Sequence, residues 1–338
     1  MPAEQNSSSL RIVANALNRI RRYDLDRDLA ASRRCPPNGQ LFHYTTADGL
    51  KGIVEQRELR ASSAYFLNDS AEILYGYCVL NEVLRDWISK RNLTETSVAL
   101  GTAHTLERGF GHDLQNRNMI QPIYLACFCE DDNLLSQWRN YGQSGGYSLG
   151  FNSPCEGTVH GLMPEACAYT ARWVKVEYER DEQARRCRTV LDYLLPILDE
   201  PNLIESVREI DPLSPFGYQG LLTAISDILL EEIVAFKSRD FEVEKEWRIV
   251  VRQRELLKQG TDDGGATPLP IHFRAVRGLL VPYVKLIPIE KGNLLPLVSV
   301  RSGPTRDTTT SWIAVRMLLD KHNYTKARAD KSEITVIF

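Results

Sequence analysis

Glutamates alternate with other residues shortly before an arginine in the last third of this sequence. The residues are Glu242, Glu244, Glu246 and Arg248. Successive side chains of a β-strand point to opposite faces of the sheet, so an extended segment would place these four on one face. Neighbouring carboxylates can raise one another's pKa, which prepares a group for acid–base work or for stabilising a cation. The less specific interpretation is an exposed strand face that carries a Glu–Arg ion pair.

The opposite face of the same segment is mostly apolar. Trp247, Ile249 and Val251 alternate with the polar residues, and large apolar side chains of this kind dominate protein cores. We therefore predict a strand over residues 242–251 that is anchored by its apolar face and presents its acidic face to a site.

Polar side chains in three other regions could complete such a site. They are His43, Tyr44 and Thr45 in a predicted strand, Tyr65, Asn68 and Asp69 around a predicted turn, and Ser136, Arg139 and Tyr141 in a short predicted helix. A single histidine in a strand is more often structural than catalytic, and Asn68 or Asp69 would also serve as a helix cap. The functional interpretation requires that these side chains converge on the acidic strand.

The usual signatures of several enzyme classes are missing from the sequence. It has neither a phosphate-binding loop of the Walker type nor a dinucleotide-binding glycine fingerprint. It also lacks the nucleophile elbow of serine hydrolases and the paired histidines of zinc proteases. The six histidines are dispersed, and Cys127 and Cys129 have no second pair at zinc-binding spacing, so we expect no metal.

Composition indicates an ordinary globular protein. The 338 residues are 43% hydrophobic and 25% charged, with a net charge of −3, which is no general signature of polyanion binding. The seven cysteines are scattered, and the first residues carry no apolar leader. No apolar run approaches the roughly 18 residues that a membrane span needs. These features predict a cytoplasmic protein with reduced cysteines and no membrane partner.

The chain divides into a predicted helical extension, residues 1–39, and one α+β domain, residues 40–338. We predict strands at 40–46, 59–62, 123–129, 145–151, 172–178, 242–251, 271–273, 278–287, 297–300 and 334–338. We predict helices at 47–54, 71–89, 132–142 and 308–322, with mainly helical stretches at 92–121 and 181–237. The extension is rich in arginine, which fits either a solvated helix face or an arm that contacts phosphate or a partner.

Taken in order, the polar segments resemble a widespread bacterial family catalogued as domain of unknown function 2971. The corresponding segments are residues 42–45, 67–69 with Glu72, 127–130, 136–141 and 244–248. The resemblance covers roughly residues 40–255. No single motif is diagnostic, but the order and composition together are fairly specific.

That family looks distantly similar to the ADP-ribosyltransferase superfamily. The similarity implies a split mixed β-sheet surrounded by helices, with NAD as substrate and either a protein or a nucleic acid as acceptor. It implies that Glu246 grips the ribose, with Glu244 as its partner, and that His43 and Thr45 hold ribose or phosphate. The other implied substrate contacts are stacking by Tyr141 or Tyr65, bracing of the glutamate by Ser136, phosphate contact by Arg139 or Arg248, and binding by Tyr44, Asn68 and Asp69.

Three functions are compatible with these residues. The first is an NAD-dependent ADP-ribosyltransferase or NAD glycohydrolase that acts as a toxin or antiphage effector, because cleaving an N-glycosidic bond passes through an oxocarbenium-like state that a glutamate stabilises. The second is a DNA glycosylase that excises a modified base, with phosphate contacts from the basic extension and from Arg172, Lys175, Arg185 and Arg186. The third is a nucleotide-sensing module without catalysis.

Overall fold

The computed structural model describes most of the chain. The described residues are 2–32, 39–66, 71–91, 94–116, 123–141, 146–152, 162–164, 169–210, 217–253, 270–276, 278–288, 293–305 and 307–334. Asn68 and Asp69 lie outside them, as do the last four residues of the strand predicted at 334–338. None of the described helices is both long enough and apolar enough to cross a membrane.

Helices and strands alternate irregularly along the described residues. The helices are α1 (Pro2–Ser32), α2 (Ala47–Gln56), α3 (Ala71–Lys90), α4 (Val98–Asn116), α5 (Leu135–Tyr141), α6 (Arg180–Leu194), α7 (Pro201–Glu209), α8 (Tyr218–Ile233) and α9 (Thr308–Lys321). The strands are β1 (Gln40–Thr45), β2 (Leu59–Ser63), β3 (Ile123–Cys129), β4 (Tyr147–Asn152), β5 (Leu162–Pro164), β6 (Tyr169–Lys175), β7 (Glu246–Gln253), β8 (His272–Val276), β9 (Leu279–Pro288), β10 (Leu297–Ser302) and β11 (Arg328–Lys331). Short 3₁₀ segments occupy Ala64–Phe66, Leu195–Asp199 and Arg239–Glu244.

The described strands form one mixed sheet. Its main path runs β11-β10-β4-β1-β3-β2-β9-β5, with β7 beside β3, β6 beside β7 and β8 beside β9. Every pairing is antiparallel except that of β10 with β11. The predicted α+β class, with a mixed open sheet and surrounding helices, is confirmed. The finer ADP-ribosyltransferase-like arrangement stays a prediction.

One edge of β3 is shared by two strands. β2 pairs with β3 at Tyr124 and Leu125, whereas β1 meets it at Cys129. Residues 126–128 lie between these two attachments, and among the described strands none pairs with them on that side. We call residues 126–128 the open segment of β3. The opposite edge of β3 pairs with β7 along its whole length.

Each face of the sheet covers its own core. The larger core packs α1, α3, α4, α6 and α8 on one face, which includes Leu125 of β3 and Val250 of β7. The smaller core packs α2 and α9 on the other face, which includes Phe128 and Trp247. Because α1 contributes fully buried side chains to the larger core, the N-terminal helix is part of this packing and not a detached arm.

The acidic strand begins later than its alternation predicts. Residues Arg239–Glu244 form a 3₁₀ turn, and Lys245 has a left-handed backbone conformation with φ of 42°. The strand therefore starts at Glu246, and Glu242 is exposed on the turn and does not share the strand face. Burial of Trp247, Ile249 and Val251 on one face is confirmed.

Candidate functional site

An ammonium group lies at the centre of three carboxylates on the larger-core face of the sheet. The Nζ atom of Lys237 is 2.8 Å from Oε1 of Glu72, 2.7 Å from Oε2 of Glu244 and 3.0 Å from Oε2 of Glu246. Arg248 completes the group, which we call the carboxylate cluster: Glu72, Lys237, Glu244, Glu246 and Arg248. All five side chains are almost completely enclosed.

Four separate elements deliver these side chains. Glu72 is in the first turn of α3, and Lys237 follows α8 in an extended segment whose backbone is held by Glu177 and Gln183. The 3₁₀ turn supplies Glu244, and β7 supplies Glu246 together with Arg248. The left-handed Lys245 reverses the chain sharply, so that Glu244 and Glu246 both reach the same ammonium group.

Arg248 is committed to holding the cluster together. Its Nε and Nη2 atoms contact the two oxygens of Glu246 at 2.8 and 3.0 Å. Nη2 also lies 2.5 Å from Glu72, and Nη1 donates to the carbonyl of Val234 at 2.6 Å. The fork geometry of guanidinium suits such bidentate contacts. The donors of Arg248 are thus engaged within the chain, and a phosphate contact by Arg139 or Arg248 stays a prediction.

The cluster has one more carboxylate than it has cations. Burial alone raises the pKa of Glu246, but the charges of Arg248 and Lys237 outweigh it and lower the pKa to about 2. Burial raises the pKa of Glu244 above its ordinary value, and Lys237 offsets only part of that effect. The two neighbouring glutamates are therefore driven apart in pKa, which is how acid–base roles are separated in enzyme sites.

One oxygen of Glu244 has no partner in the described part of the chain. Its Oε2 is paired with Lys237, whereas Oε1 has no hydrogen-bond partner among the described residues. Glu246, in contrast, has both oxygens occupied by Arg248 and Lys237. Among the described residues, both oxygens of Glu246 are thus held in place, whereas Glu244 keeps one oxygen as an available acceptor.

Two cysteines connect the cluster to the open segment of β3. Cys127 lies opposite Arg248 and Cys129 lies opposite Glu246 in the β3–β7 ladder, so both thiols share the face of the cluster. Cys127 is half-buried, within the open segment. Burial raises the pKa of both thiols well above the ordinary value, so neither is a thiolate nucleophile.

His43 meets the same segment from the other side. It lies opposite Leu149 in the β1–β4 ladder, and its ring centroid is 5.5 Å from that of Phe128, which places it on the smaller-core face. Its Nδ1 is 2.9 Å from the carbonyl oxygen of Cys127. Glu246 and His43 therefore approach Cys127 from opposite faces of the sheet.

The contacts of His43 define its protonation. Burial lowers the pKa of the ring below its usual value; the hydrogen bond with Cys127 opposes this, and the charge of Arg274 adds to the lowering. A carbonyl oxygen only accepts, so Nδ1 must carry the proton of the neutral ring. This leaves Nε2 as a hydrogen-bond acceptor.

Tyr44 is a structural residue with respect to α5. Its hydroxyl donates to the carbonyl of Asp131 at 3.0 Å and accepts from the amide of Leu134 at 2.8 Å. Its ring packs edge-on against Trp138, which is fully buried. These contacts fix the start of α5, at whose end Tyr141 lies, half-buried, against the same small apolar cluster.

Other predicted substrate contacts are dispersed. Thr45 packs against the first turn of α2. Its hydroxyl lies so close to Gly49 that a Cβ atom at that position would clash with it. Tyr65 packs against the larger core, and Arg139 is exposed. The hydroxyl of Ser136 is buried without a hydrogen-bond partner among the described residues, so it does not brace a glutamate. Asn68 and Asp69, which precede α3, lie outside the described residues.

The cations expected to contact nucleic-acid phosphates are paired within the chain. Arg172 is 2.9 Å from Glu231, Arg186 is 2.6 Å from Glu232, and Lys175 is 3.0 Å from Glu130. Arg185 pairs with Glu182, one helical turn away. These residues, with Arg27 of α1, line a cavity of about 170 Å³, but they do not present an uncompensated basic surface.

The described part of the chain contains no group of three or more His, Cys, Asp or Glu side chains that could hold a metal ion. Within the carboxylate cluster, the central position is occupied by the Lys237 ammonium group itself.

Comparison with known proteins gives a family match over part of the chain. Residues 137–249 match the family described as Protein of unknown function (DUF2971). The resemblance predicted from the sequence is thereby confirmed. No match was found among curated proteins or among solved structures.

The DUF2971 match begins at α5 and ends within β7. It therefore includes Lys237, Glu244, Glu246 and Arg248, whereas Glu72 lies before it. Lys237 is the member of the cluster that sequence reasoning missed. Its signal was a single lysine at the end of the apolar run Ile233-Val234-Ala235-Phe236, where a charge is buried only if it is paired.

Proposed function

We propose that the protein is an enzyme that cleaves the N-glycosidic bond between ribose and nicotinamide in NAD and either transfers or releases ADP-ribose. The observation that carries this proposal is the free Oε1 of Glu244 in a buried cluster of net negative charge. The acceptor is a protein, a nucleic acid or water. An activity of this kind would suit a toxin or an antiphage effector.

The electrostatics of the cluster match the reaction. When nicotinamide departs with the electron pair of the glycosidic bond, positive charge develops on the ribose. Three carboxylates against two cations leave one net negative charge to stabilise it, in an enclosed site where such interactions are stronger than in water. Lys237, fixed by Glu72 and Glu246, holds Glu244 in position.

Proton transfer completes the cycle. The nucleophile, water or an acceptor group, forms a bond to the anomeric carbon and loses a proton. Glu244 is suited to take that proton, because burial raises its pKa towards the range in which a carboxylate acts as general base. Its free Oε1 accepts the proton, and solvent then removes it.

Tyr141 would orient the substrate, because it offers an aromatic ring for stacking on nicotinamide. His43 lies on the opposite face of the sheet and would act only through the backbone, because its Nδ1 donates to the carbonyl oxygen of Cys127. The stacking role follows the expectation drawn from the distant similarity to ADP-ribosyltransferases.

The test is incubation of the purified protein with NAD, followed by mass analysis of the nucleotide and of added protein and nucleic-acid acceptors. We expect release of nicotinamide, and a loss of about 10²-fold or more in rate for Glu244→Gln, because the general base is removed while the shape is kept. The matched control is Glu242→Gln, two residues earlier on the exposed turn, which should keep the wild-type rate.

Two results would overturn the proposal. One is unchanged NAD after incubation with the wild-type protein and every acceptor class. The other is NAD cleavage that Glu244→Gln and Glu242→Gln affect equally, since the free carboxylate oxygen would then have no part in the reaction.

A further inference from the structure

Arg274 on β8 is a half-buried arginine that has no carboxylate partner among the residues that the structure describes. Its Nη2 donates to the hydroxyl of Ser62 at 2.8 Å. Its Nε is buried and has no hydrogen-bond partner among the described residues. Within the same part of the chain, no Asp or Glu lies within ion-pair distance of its guanidinium.

The other enclosed arginines differ from Arg274 in this respect. Arg248 is bound by Glu72 and Glu246, and Arg252 by Asp227 at 2.7 Å. Removing a charge from water without a partner costs free energy. A half-buried guanidinium that is left uncompensated is therefore better explained by an anion that it binds than by a contribution to stability.

A second arginine, Arg60, lies near Arg274 and is itself paired with Glu58. The guanidinium of Arg60 lies over the ring of Tyr283, 5.0 Å from its centroid, and is directed to Gln56 and Glu58. Burial lowers the pKa of Arg274, and the charge of Arg60 lowers it further. The surroundings of Arg274 thus favour a bound negative charge.

The position of Arg274 relates it to the carboxylate cluster. Ser62 lies opposite Leu125 of β3, and Cys127 is two residues further along that strand, about 7 Å away at the usual rise. Leu125 and Cys127 point to the same face, which is also the face of Glu246. The guanidinium and the cluster therefore flank the open segment of β3 on one face of the sheet.

We propose that Arg274, together with Ser62, binds a phosphate or diphosphate group beside the open segment of β3. Its fork of N–H donors suits phosphate oxygens, and the free Nε and the Ser62 hydroxyl add donors. That the group is the diphosphate of NAD rests on the proposed function. In that arrangement the diphosphate lies at Arg274 and the scissile ribose lies towards Glu244.

The test measures binding of inorganic pyrophosphate and of ADP by calorimetry. Arg274→Gln should weaken both at least about 10-fold, because a charge-assisted pair is lost, and Arg274→Lys should lose less. The matched control is Arg328→Gln, at an exposed position on β11 at the far end of the sheet, which should bind as the wild type does.

Thermal unfolding separates a binding role from a structural one. Arg274→Gln removes an uncompensated charge, so its melting temperature should equal or exceed that of the wild type. A marked fall would identify Arg274 as a structural residue and overturn the proposal. Absence of saturable pyrophosphate and ADP binding by the wild type, or equal binding by Arg274→Gln, would overturn it as well.

The same measurements distinguish this site from the NAD chemistry. Pyrophosphate binding that depends on Arg274, in a protein that leaves NAD intact, would support the anion site and reject the proposed function. NAD cleavage together with pyrophosphate binding that is independent of Arg274 would do the reverse.

Discussion

Lys237 and Glu244 form an enclosed ion pair of 2.7 Å that uses only one oxygen of the carboxylate. The ammonium group shares its remaining donors between Glu72 and Glu246. Burial alone lowers the pKa of Lys237, but the three carboxylates outweigh this effect and hold the pKa above its ordinary value. Lys237 is thus the permanent positive charge on which the arrangement of the acidic side chains depends.

Replacing Lys237 should destabilise the fold strongly. Lys237→Met leaves enclosed carboxylates without their shared cation, and breaking a buried pair typically costs about 3–5 kcal/mol. Denaturant unfolding at pH 7 measures the change. Lys51→Met is the matched control, because it removes an exposed helical pair with Glu55 that contributes at most about 1 kcal/mol. Equal stabilities of the two variants would mean that the cluster is not charged as described.

Acid should weaken the link between α1 and α8. Burial alone raises the pKa of Glu232, but Arg27, Arg186 and Arg172 lower it to about 2 from an ordinary 4.5. A lowered folded-state pKa gives stability that is fully present above pH 4.5 and is lost as the pH falls towards 2.

The variant Glu232→Gln isolates this contribution. It should be less stable than the wild type at pH 7, and the difference should shrink as the pH falls from about 4.5 to about 2, where the wild-type carboxyl is itself protonated. Urea unfolding across this pH range measures it. Glu200→Gln, which breaks an exposed pair with Arg19, should change stability little at pH 7. If the stability difference between the wild type and Glu232→Gln is as large at low pH as at pH 7, the lowered pKa of Glu232 is contradicted.

His43 should remain neutral in weakly acidic solution. Burial and the nearby charge of Arg274 place the pKa of its ring below 6.5, and the hydrogen bond to Cys127 fixes the proton on Nδ1. NMR of the ring carbons and nitrogens against pH measures both the pKa and the tautomer. The same ring in the urea-unfolded chain is the reference. A folded-state pKa above the unfolded value, or a proton on Nε2, would contradict the structure.

The N-terminal helix should be essential for folding. Leu17 of α1 is fully buried in the larger core, so Leu17→Ala should cost about 2–5 kcal/mol. Leu10, on the same helix, is 38% exposed, and Leu10→Ala should change the free energy of unfolding far less. Denaturant unfolding compares the two. Similar small effects of the two substitutions would contradict a structural role for α1.

Local patterns predicted much of the secondary structure. The helix predicted at 47–54 is present as α2, and it is capped by Thr46, whose hydroxyl accepts from the amide of Gly49 at 3.2 Å. Trp247 is buried as its alternation with polar neighbours indicates. In both cases the signal depends on residues within one or two turns of chain, which a sequence displays directly.

The sequence-based predictions failed where the backbone turns sharply and where a contact joins residues that are distant in sequence. Alternating charges at Glu242 and Glu244 fit a strand as well as a turn, and the left-handed conformation of Lys245 has no signature in a lysine. Arg248 is saturated by Glu72, which is far away in sequence. Strands β5 and β11 were not predicted, because their short segments depend on pairing with β9 and β10.

The three-to-two balance of charges in the carboxylate cluster has an evolutionary consequence. A substitution that removes one cation or one carboxylate leaves its partners buried without a compensating charge. A single substitution therefore lowers stability even where a paired replacement would be tolerated. We therefore expect Glu72, Lys237 and Arg248 to covary among homologues, and to be inherited as a block through lineages in which surface charges drift freely.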